Sequence, residues 1–310
     1  MEIQVKGHSG CQIDIVNDGN NLYIYKSTHD PKYINRLYLQ AKKQQEACRR
    51  VYQHIRIPEI LEIDKTDEHL IIKMEYVYSK NYIDYFEDAG FDNISYFVKA
   101  LKIFMNAEIE DSPLRKVNTQ VVKDKFLDVC NKCHVNEFLK GDKEIEALLE
   151  KCSKVFEQLP IEIEIPMGKC HGDLTFSNIL FNGNNYYLID FLDSFIESPL
   201  LDLVKIRQDS QYEWSRLMYE GDVDLVRLSI ISQKIDHEID SYYSQYVWYR
   251  EYYHVFQLMN FLRILQYAKE EKVTNYLKNV INSMGPLEKV CGYRSTIKIL
   301  FCPFIKLNNG

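Results

Sequence analysis

The stretch Cys170–Asp193, which reads CHGDLTFSNILFNGNNYYLIDFLD, decides the fold that this sequence predicts. Asp173 precedes Asn178 by five residues, and Asp190 follows after a predicted hairpin whose turn is Asn182–Asn185. Because the start of the first strand of a hairpin lies beside the end of the second, the side chains of Asn178 and Asp190 are expected to converge. Amide and carboxylate oxygens suit Mg2+, which takes few protein ligands and leaves positions for phosphate oxygens. Asp173 is then free to act as a base near the metal.

This spacing resembles the catalytic loop and the metal loop of phosphoryl-transfer enzymes with the kinase fold. The His-Gly-Asp form at Asp173 is similar to the aminoglycoside phosphotransferase and choline kinase superfamily, whereas protein kinases have His-Arg-Asp. In the same way Asp190 is followed by Phe191 and Leu192, whereas protein kinases have Phe-Gly there. The alternative is a chance turn before a surface hairpin, which the correctly placed Asn178 and Asp190 disfavour.

The resemblance implies a two-lobe α+β fold of the protein-kinase type. A small antiparallel-sheet lobe of residues 1–76 would bind the nucleotide, and a larger helical lobe of residues 77–310 would carry catalysis and bind the acceptor. The implied enzyme moves the γ-phosphoryl group of ATP to a hydroxyl group, with Mg2+ as cofactor. In these roles Asp173 accepts or orients the acceptor hydroxyl, and Asn178 and Asp190 hold the metal.

The first 26 residues are predicted to form strands separated by turns. The strands are predicted at residues 3–5, 12–16 and 22–26. The Gly7–Gly10 turn would place backbone N–H groups over ATP phosphates, although an ordinary hairpin fits it equally well. Lys26 stands at the end of the third strand, where the kinase fold places its phosphate-binding lysine. The alternative for Lys26 is an exposed lysine at a strand end.

A helix is predicted from Asn35 to Gln53, because its apolar residues recur at helical spacing. Its position resembles that of the kinase helix whose carboxylate orients the lysine. Glu46 is its only acidic residue and is assigned that role. One of the glutamines Gln40, Gln44 or Gln45 could take the place of Glu46.

Two further strands, at 57–63 and 70–77, lead to Met74-Glu75-Tyr76-Val77. This run resembles the hinge between the two lobes of the superfamily. The backbone from Glu75 to Val77 is therefore expected to hydrogen-bond the adenine ring.

Beyond the hinge the sequence predicts mainly helices, at 92–107, 119–139, 142–158 and 241–269. Ser198 followed by Pro199 marks a further helix start. Asp202 matches the Asp-Leu pair of the superfamily and is expected to brace the catalytic loop. His171 is expected to be a structural residue of that loop, and Asp193 is a further carboxylate near the metal site.

The sequence alone does not identify the chemical class of the acceptor. The aromatic side chains of 241–269 fit either a core or a pocket that stacks on a sugar or holds a quaternary ammonium. Asn260, Arg263 and Tyr267 share one face there. Several acids fit either a polycation pocket or a solvated surface: Asp222, Asp224, Asp236, Glu238 and Asp240.

The run Lys205–Asp209 resembles kinase-like proteins of bacterial capsule and glycan gene clusters. We therefore expect a sugar or glycan precursor as acceptor. A choline kinase, an aminoglycoside kinase and a catalytically weak kinase-like scaffold are the alternatives.

Composition and short motifs disfavour several classes of partner and cofactor. The net charge of −7 disfavours nucleic acid as the main partner. The polar amino terminus and the lack of any run of roughly 18 apolar residues predict a cytoplasmic chain without a membrane span. Cys130-Asn131-Lys132-Cys133-His134 spells a c-type haem attachment pattern. Haem attachment needs an exported chain and zinc needs about four ligands, so neither is expected, and core cysteines explain the pattern.

Overall fold

The computed structural model describes residues 3–6 and 11–284 of the chain. The predicted Gly7–Gly10 turn, a helix end expected at Gly285-Pro286 and an extended tail expected at 297–304 lie outside the described residues. The described part combines a small antiparallel sheet with a larger helical body, which confirms the α+β class.

An antiparallel five-stranded sheet in the order β1-β2-β3-β6-β5 forms the amino-terminal part. The strands are β1 Ile3–Lys6, β2 Gln12–Asn17, β3 Leu22–Thr28, β5 Ile60–Lys65 and β6 Leu70–Glu75. Gly19, at φ +76°, provides the turn between β2 and β3. The bounds of β2, β3 and β6 agree with the prediction to within two residues.

Helix α1, Pro31–Cys48, packs on this sheet. The Asp30 side chain accepts a hydrogen bond from the Lys32 N–H, and Pro31 occupies the first turn, so the helix begins four residues before the predicted Asn35. It also ends five residues before the predicted Gln53.

The remaining elements belong mostly to the helical body. The helices are α2 Tyr82–Asp88, α3 Phe91–Glu110, α4 Gln120–Val135, α5 Lys143–Glu157, α6 Pro199–Ser210, α7 Trp214–Leu217, α8 Leu225–Tyr243, α9 Val247–Leu265 and α10 Glu271–Ser283. The short strands are β4 Ile55–Arg56, β7 Leu114–Asn118, β8 Glu162–Pro166, β9 Ile179–Asn182 and β10 Asn185–Leu188. Ser198 caps α6 with its hydroxyl and Pro199 opens it, as predicted.

Two differences from the prediction concern pairing between distant segments, and a third concerns a helix boundary. The β7–β8 hairpin was not predicted, because its strands are 43 residues apart between Asn118 and Glu162 and the intervening helices hide the pairing. The single helix predicted at 241–269 is broken between α8 and α9. Strand β4 pairs in parallel with β10 and so joins a segment before the hinge to the catalytic hairpin. The division at residue 76 stays a prediction.

The main core lies between the helices and the catalytic hairpin, and it contains many aromatic side chains. Phe86, Phe97, Phe176, Phe181 and Tyr186 form a connected group of rings around the hairpin. Such packing holds β9 and β10 rigidly, and with them the loops at either end of the hairpin. None of the described helices combines the length and apolar character needed to cross a bilayer.

Candidate active site

A buried carboxylate from α6 holds the catalytic loop. Asp202 accepts a hydrogen bond from the backbone N–H of His171 (2.5 Å) and another from that of Gly172 (2.7 Å). The prediction that Asp202 braces this loop is confirmed. Burial raises the pKa of Asp202 to about 7, against the hydrogen bonds and the Lys43 ammonium, which favour the charged form.

His171 is a structural residue of the loop, as expected. Its ring is fully buried, 4.2 Å from the Phe191 ring, with Nε2 2.8 Å from the Ile189 carbonyl oxygen. Burial lowers its pKa to about 4, so the imidazole is neutral near pH 7. The neutral ring then donates from Nε2 to Ile189, while Nδ1 accepts from the Asp173 N–H at 3.2 Å.

Position 172 requires glycine because the backbone of Leu192 lies very close to it. The φ of Gly172 is +89°, and a Cβ at this position would overlap the Leu192 carbonyl oxygen. The Leu192 N–H also donates to the His171 carbonyl at 3.0 Å. The catalytic loop and the metal loop are therefore in direct backbone contact, which only glycine permits here.

Asp173 lies between an amide and an ammonium group. Its Oδ2 accepts a hydrogen bond from Asn178 Nδ2 at 3.0 Å, and its Oδ1 lies 3.0 Å from Lys205 Nζ. Burial alone would raise the pKa of Asp173, but Lys205 and the Asn178 hydrogen bond outweigh it and hold the pKa below its usual value. Asp173 is thus an ionised carboxylate, as a proton acceptor must be.

Lys205 and Asp209 were not predicted as site residues. Asp209 accepts from the Phe176 N–H (2.6 Å) and from the Ser215 N–H (2.8 Å), so it braces the far end of the catalytic loop. Burial raises its pKa to about 6. The sequence did contain a pattern that indicated these two residues, because positions 202, 205 and 209 lie one and two helical turns apart on one face of α6. Asp202 alone had indicated that this face meets the loop.

Lys26 and Asp190 form a direct ion pair between β3 and the end of the catalytic hairpin. Asp190 has a left-handed backbone, at φ +62°, a conformation that Asp tolerates better than most residues. The Ile189 N–H donates to the Asn178 carbonyl at 3.0 Å, so the two predicted metal ligands meet at the base of the hairpin. Lys26 and Asp190 are therefore in contact, and the residue before Asp190 pairs with the backbone of Asn178, while the roles of the three side chains toward nucleotide and metal stay predictions.

Glu46 does not contact Lys26, and the expected pairing is corrected by the structure. Its carboxylate lies 2.5 Å from Lys169 Nζ and its side chain is 61% exposed, because position 46 faces away from the sheet. Gln40 and Gln44 are the α1 glutamines that line a small cavity with Lys26. Gln44 donates to a backbone carbonyl, whereas the buried Gln40 Nε2 has no hydrogen-bond partner among the described residues.

Lys43 links α1 to both loops. Its Nζ donates to the Leu192 carbonyl at 2.6 Å and to Glu197 Oε2 at 2.6 Å. The other Glu197 oxygen accepts from the Ser194 N–H at 2.7 Å. The position of α1 is therefore coupled to the segment that follows Asp190.

The predicted hinge lies at the end of β6. The Glu75 N–H donates to the Glu59 carbonyl at 2.9 Å, and the Val77 side chain is buried. Immediately afterwards Lys80 and Phe181 exchange two backbone hydrogen bonds, of 2.9 and 3.0 Å. The hinge is thus anchored to the catalytic hairpin, while the Glu75 side chain points to solvent.

The donor set fits Mg2+. Asn178 uses its Nδ2 toward Asp173, so its hard Oδ1 is the atom directed to a metal, and Asp190 adds carboxylate oxygens. Asp193 is exposed nearby in sequence. The described residues hold no group of three or more His, Cys, Asp or Glu that could bind a metal.

The acids of α8 do not form an open acidic pocket. Asp236 and Asp240 both pair with Arg207, at 2.8 and 2.5 Å, and Glu238 lies 3.1 Å from Lys102. Asp224 is the N-cap of α8. The positive partners neutralise three of the five acids that the sequence offered as a polycation site.

The tyrosines of α8 and α9 are mostly core residues. Tyr243, Tyr249 and Tyr253 are 0–2% exposed, and the Arg207 guanidinium lies 4.5 Å from the Tyr253 ring centroid. They pack inside the helical body and do not surround an open cage.

The cysteine motif lies on α4. Cys133 is buried and Cys130 partly buried, and burial raises their thiol pKa values to about 12 and about 11. His134 pairs with Glu146 at 3.0 Å. These are the properties of core thiols.

Comparison with known proteins supports the resemblance that the loops suggested. Residues 97–223 match a family model described as the phosphotransferase enzyme family. The curated proteins gave no match to the chain.

Several solved structures share the fold. A thermostable mutant of aminoglycoside phosphotransferase APH(4)-Ia, in a ternary complex with AMP-PNP and hygromycin B, has a TM-score of 0.61 at 10% identity and covers 92% of both chains. A choline/ethanolamine kinase family protein from Mesorhizobium loti has a TM-score of 0.55 at 14% identity, covering 92% of this chain and 87% of its own. APH(2")-IIia with GDP and kanamycin has a TM-score of 0.54 at 16% identity, covering 92% of both chains. The predicted kinase-like fold is confirmed.

Proposed function

We propose that this chain, which is similar to the aminoglycoside phosphotransferase and choline kinase superfamily, transfers the γ-phosphoryl group of ATP to a hydroxyl group of a sugar or glycan precursor. The family match and the fold make it a phosphotransferase with a hydroxyl acceptor. Structures with this fold contain AMP-PNP with hygromycin B, or GDP with kanamycin, which supports a nucleotide donor and a small-molecule acceptor.

The observation that carries the proposal is the environment of Asp173. A partly buried carboxylate remains ionised because Lys205 and Asn178 lie against it, and the braced loop fixes its direction. Such a group can accept the proton of an acceptor hydroxyl at neutral pH. A scaffold that only binds a partner has no need for this arrangement.

The other residues handle the donor. Lys26 would neutralise charge on the α- and β-phosphates, and the backbone of Glu75 and Val77 would bind adenine. Asn178 and Asp190 would hold Mg2+, which when bound neutralises charge on the transferred phosphoryl group. Since this reaction needs mainly positioning and charge stabilisation, few side chains suffice.

The pairing of the α8 acids supports a sugar or glycan acceptor over the alternatives. An aminoglycoside kinase would use open acids for its polycation, but Asp236, Glu238 and Asp240 face Arg207 and lysines. A choline kinase would use open aromatic rings, but Tyr249 and Tyr253 are buried. A glycan precursor from a capsule pathway requires neither.

Replacing Asp173 by Asn tests the function. We expect turnover to fall by about 10^2- to 10^4-fold, because the proton acceptor is lost. Affinity for Mg-ATP should stay within about threefold, since the amide keeps the size of the side chain and the nucleotide contacts lie elsewhere. Turnover is measured as phosphate transfer over an acceptor panel, and affinity by titration with and without Mg2+.

The matched control is Asp128→Asn. Asp128 is also a carboxylate paired with lysines, Lys125 and Lys132, but it lies on α4. The control should leave both measurements unchanged. Loss of Mg-ATP binding in a folded Asp173→Asn protein would overturn the role given to Asp173.

A further inference from the structure

Building on the proposed phosphoryl transfer, we propose that Arg263 binds an anionic group of the acceptor, so that the acceptor carries a carboxylate or a phosphate besides its reacting hydroxyl. The inference starts from the position of Arg263 on α9. Its guanidinium lies 5.2 Å from the ring centroid of Phe195, which follows Asp193 by two residues. The Phe195 ring stacks on Phe256 of the same helix at 6.4 Å, so the segment after the metal loop orients Arg263.

A chain of polar contacts connects Asp173 to the same face of α9. Asp173 contacts Lys205 at 3.0 Å, Lys205 donates to Gln208 Oε1 at 3.1 Å, and Asn260 Nδ2 donates to the same oxygen at 2.7 Å. Arg263 follows Asn260 by three residues, or about one helical turn. The guanidinium is therefore on the side of the helix that faces the catalytic carboxylate.

Arg263 lacks an acidic partner in the described part of the chain. Every arginine–carboxylate pair found there involves Arg50, Arg207 or Arg216. Burial lowers the pKa of Arg263, and the nearby Arg36 lowers it further. Asp173 makes the largest contribution in the opposite direction, followed by Tyr267. The charges around Arg263 thus include one carboxylate and a second cation.

A half-buried guanidinium without a counter-ion favours an anionic ligand. Its planar fork can donate two parallel hydrogen bonds to a carboxylate or a phosphate. Asp173 is already engaged by Lys205, and no described carboxylate forms an ion pair with Arg263 or with the nearby Arg36. An acceptor with an anionic group would supply the missing charge and at the same time direct its hydroxyl to Asp173.

The experiment is an anion titration of the full chain, with and without AMP-PNP and Mg2+. Orthophosphate and acetate are added separately, and binding is followed by the shift in thermal unfolding. We expect the wild type to bind at least one of these anions, and Arg263→Ala to bind it about tenfold more weakly, as expected for a charged hydrogen bond. A preference for orthophosphate would indicate a phosphorylated acceptor, and a preference for acetate a carboxylated one.

Two variants separate binding from folding. Arg263→Lys keeps the charge but removes the fork, so it should weaken anion binding severalfold and remain folded if the alanine variant does not. Arg250→Gln removes an arginine from the same helix, whose guanidinium donates to the backbone carbonyls of Ser244 and Gln245, and this variant should bind anions like the wild type.

The outcomes are distinguishable from those of the proposed function. If the wild type bound neither anion, or if the folded Arg263 variants bound as tightly as the wild type, the inference would be overturned. If AMP-PNP failed to bind while the anion titration gave the expected differences, phosphoryl transfer would be wrong and Arg263 would still be an anion site.

Discussion

The catalytic loop contains buried carboxylates and the interface between α6, α8 and α9 contains partly buried ones, but the two regions use them differently. In the loop, Asp202 and Asp209 accept backbone N–H groups and leave Asp173 facing the cleft. In the helical interface, Asp236 and Asp240 are taken up by Arg207. The partner, and not the number of acids, decides whether a region can bind a ligand.

The same contrast separates two arginines of the helical body. Arg207 is 5% exposed, contacts two carboxylates and lies over the Tyr253 ring. Arg263 lies over Phe195 and has no carboxylate partner among the described residues. We therefore regard Arg207 as a structural residue and Arg263 as a ligand-binding one.

The largest expected effect is on stability, for Arg207→Met. Removing this side chain leaves the partly exposed Asp236 and Asp240 without their shared counter-ion. Each lost hydrogen bond between charged groups costs about 1.5–3 kcal/mol, so about 3–5 kcal/mol is expected for the two carboxylates together. Urea unfolding measures it, with Arg263→Met as the control, for which we expect less than about 1 kcal/mol. Equal losses for the two variants would contradict the distinction between them.

A smaller effect is expected where the two loops touch. Gly172→Ala should destabilise the protein by roughly 3 kcal/mol, since a left-handed residue costs about 1–2 kcal/mol and overpacking adds a similar amount. Gly183→Ala is the control. Gly183 has φ +58° but open space around it, so about 1 kcal/mol is expected. Similar values for the two substitutions, measured by chemical unfolding, would refute close contact between the loops.

The smallest effect concerns pH. In Lys205→Met the burial of Asp173 is no longer opposed by an ammonium group, so the lowered pKa of this carboxyl should rise. Because only the ionised form accepts a proton, the acid limb of kcat/KM should move to higher pH. The measurement is a pH–rate profile. An unmoved acid limb would show that Lys205 does not control Asp173.

The sequence predicted the catalytic centre well for a physical reason. His171, Asp173, Asn178 and Asp190 lie on a short segment in which a loop and a hairpin fix the backbone within a few residues. Local turn geometry then determines which side chains converge. The Ser198 cap and the Asp202 brace were predictable on similar grounds, because they belong to the first turns of one helix.

The errors lie where distant segments meet. Glu46 was the only acid on its helix, yet the rotation of α1 against the sheet directs it to Lys169 and directs Gln40 and Gln44 to the cavity beside Lys26. No local pattern reports that rotation.

What the sequence determined by itself is therefore the α+β class and the local arrangement of the catalytic loop and hairpin. Only the tertiary structure decided which charged side chains form ion pairs with one another. Lys43 pairs with Glu197, which is 154 residues away in the sequence, and Lys205 of α6 pairs with Asp173 of the catalytic loop. Such pairings depend on how whole helices pack, and packing is set by the combined burial of many apolar side chains. For the same reason Arg263 was one of many possible acceptor residues in the sequence, and the structure distinguishes it as a cation that no described carboxylate neutralises.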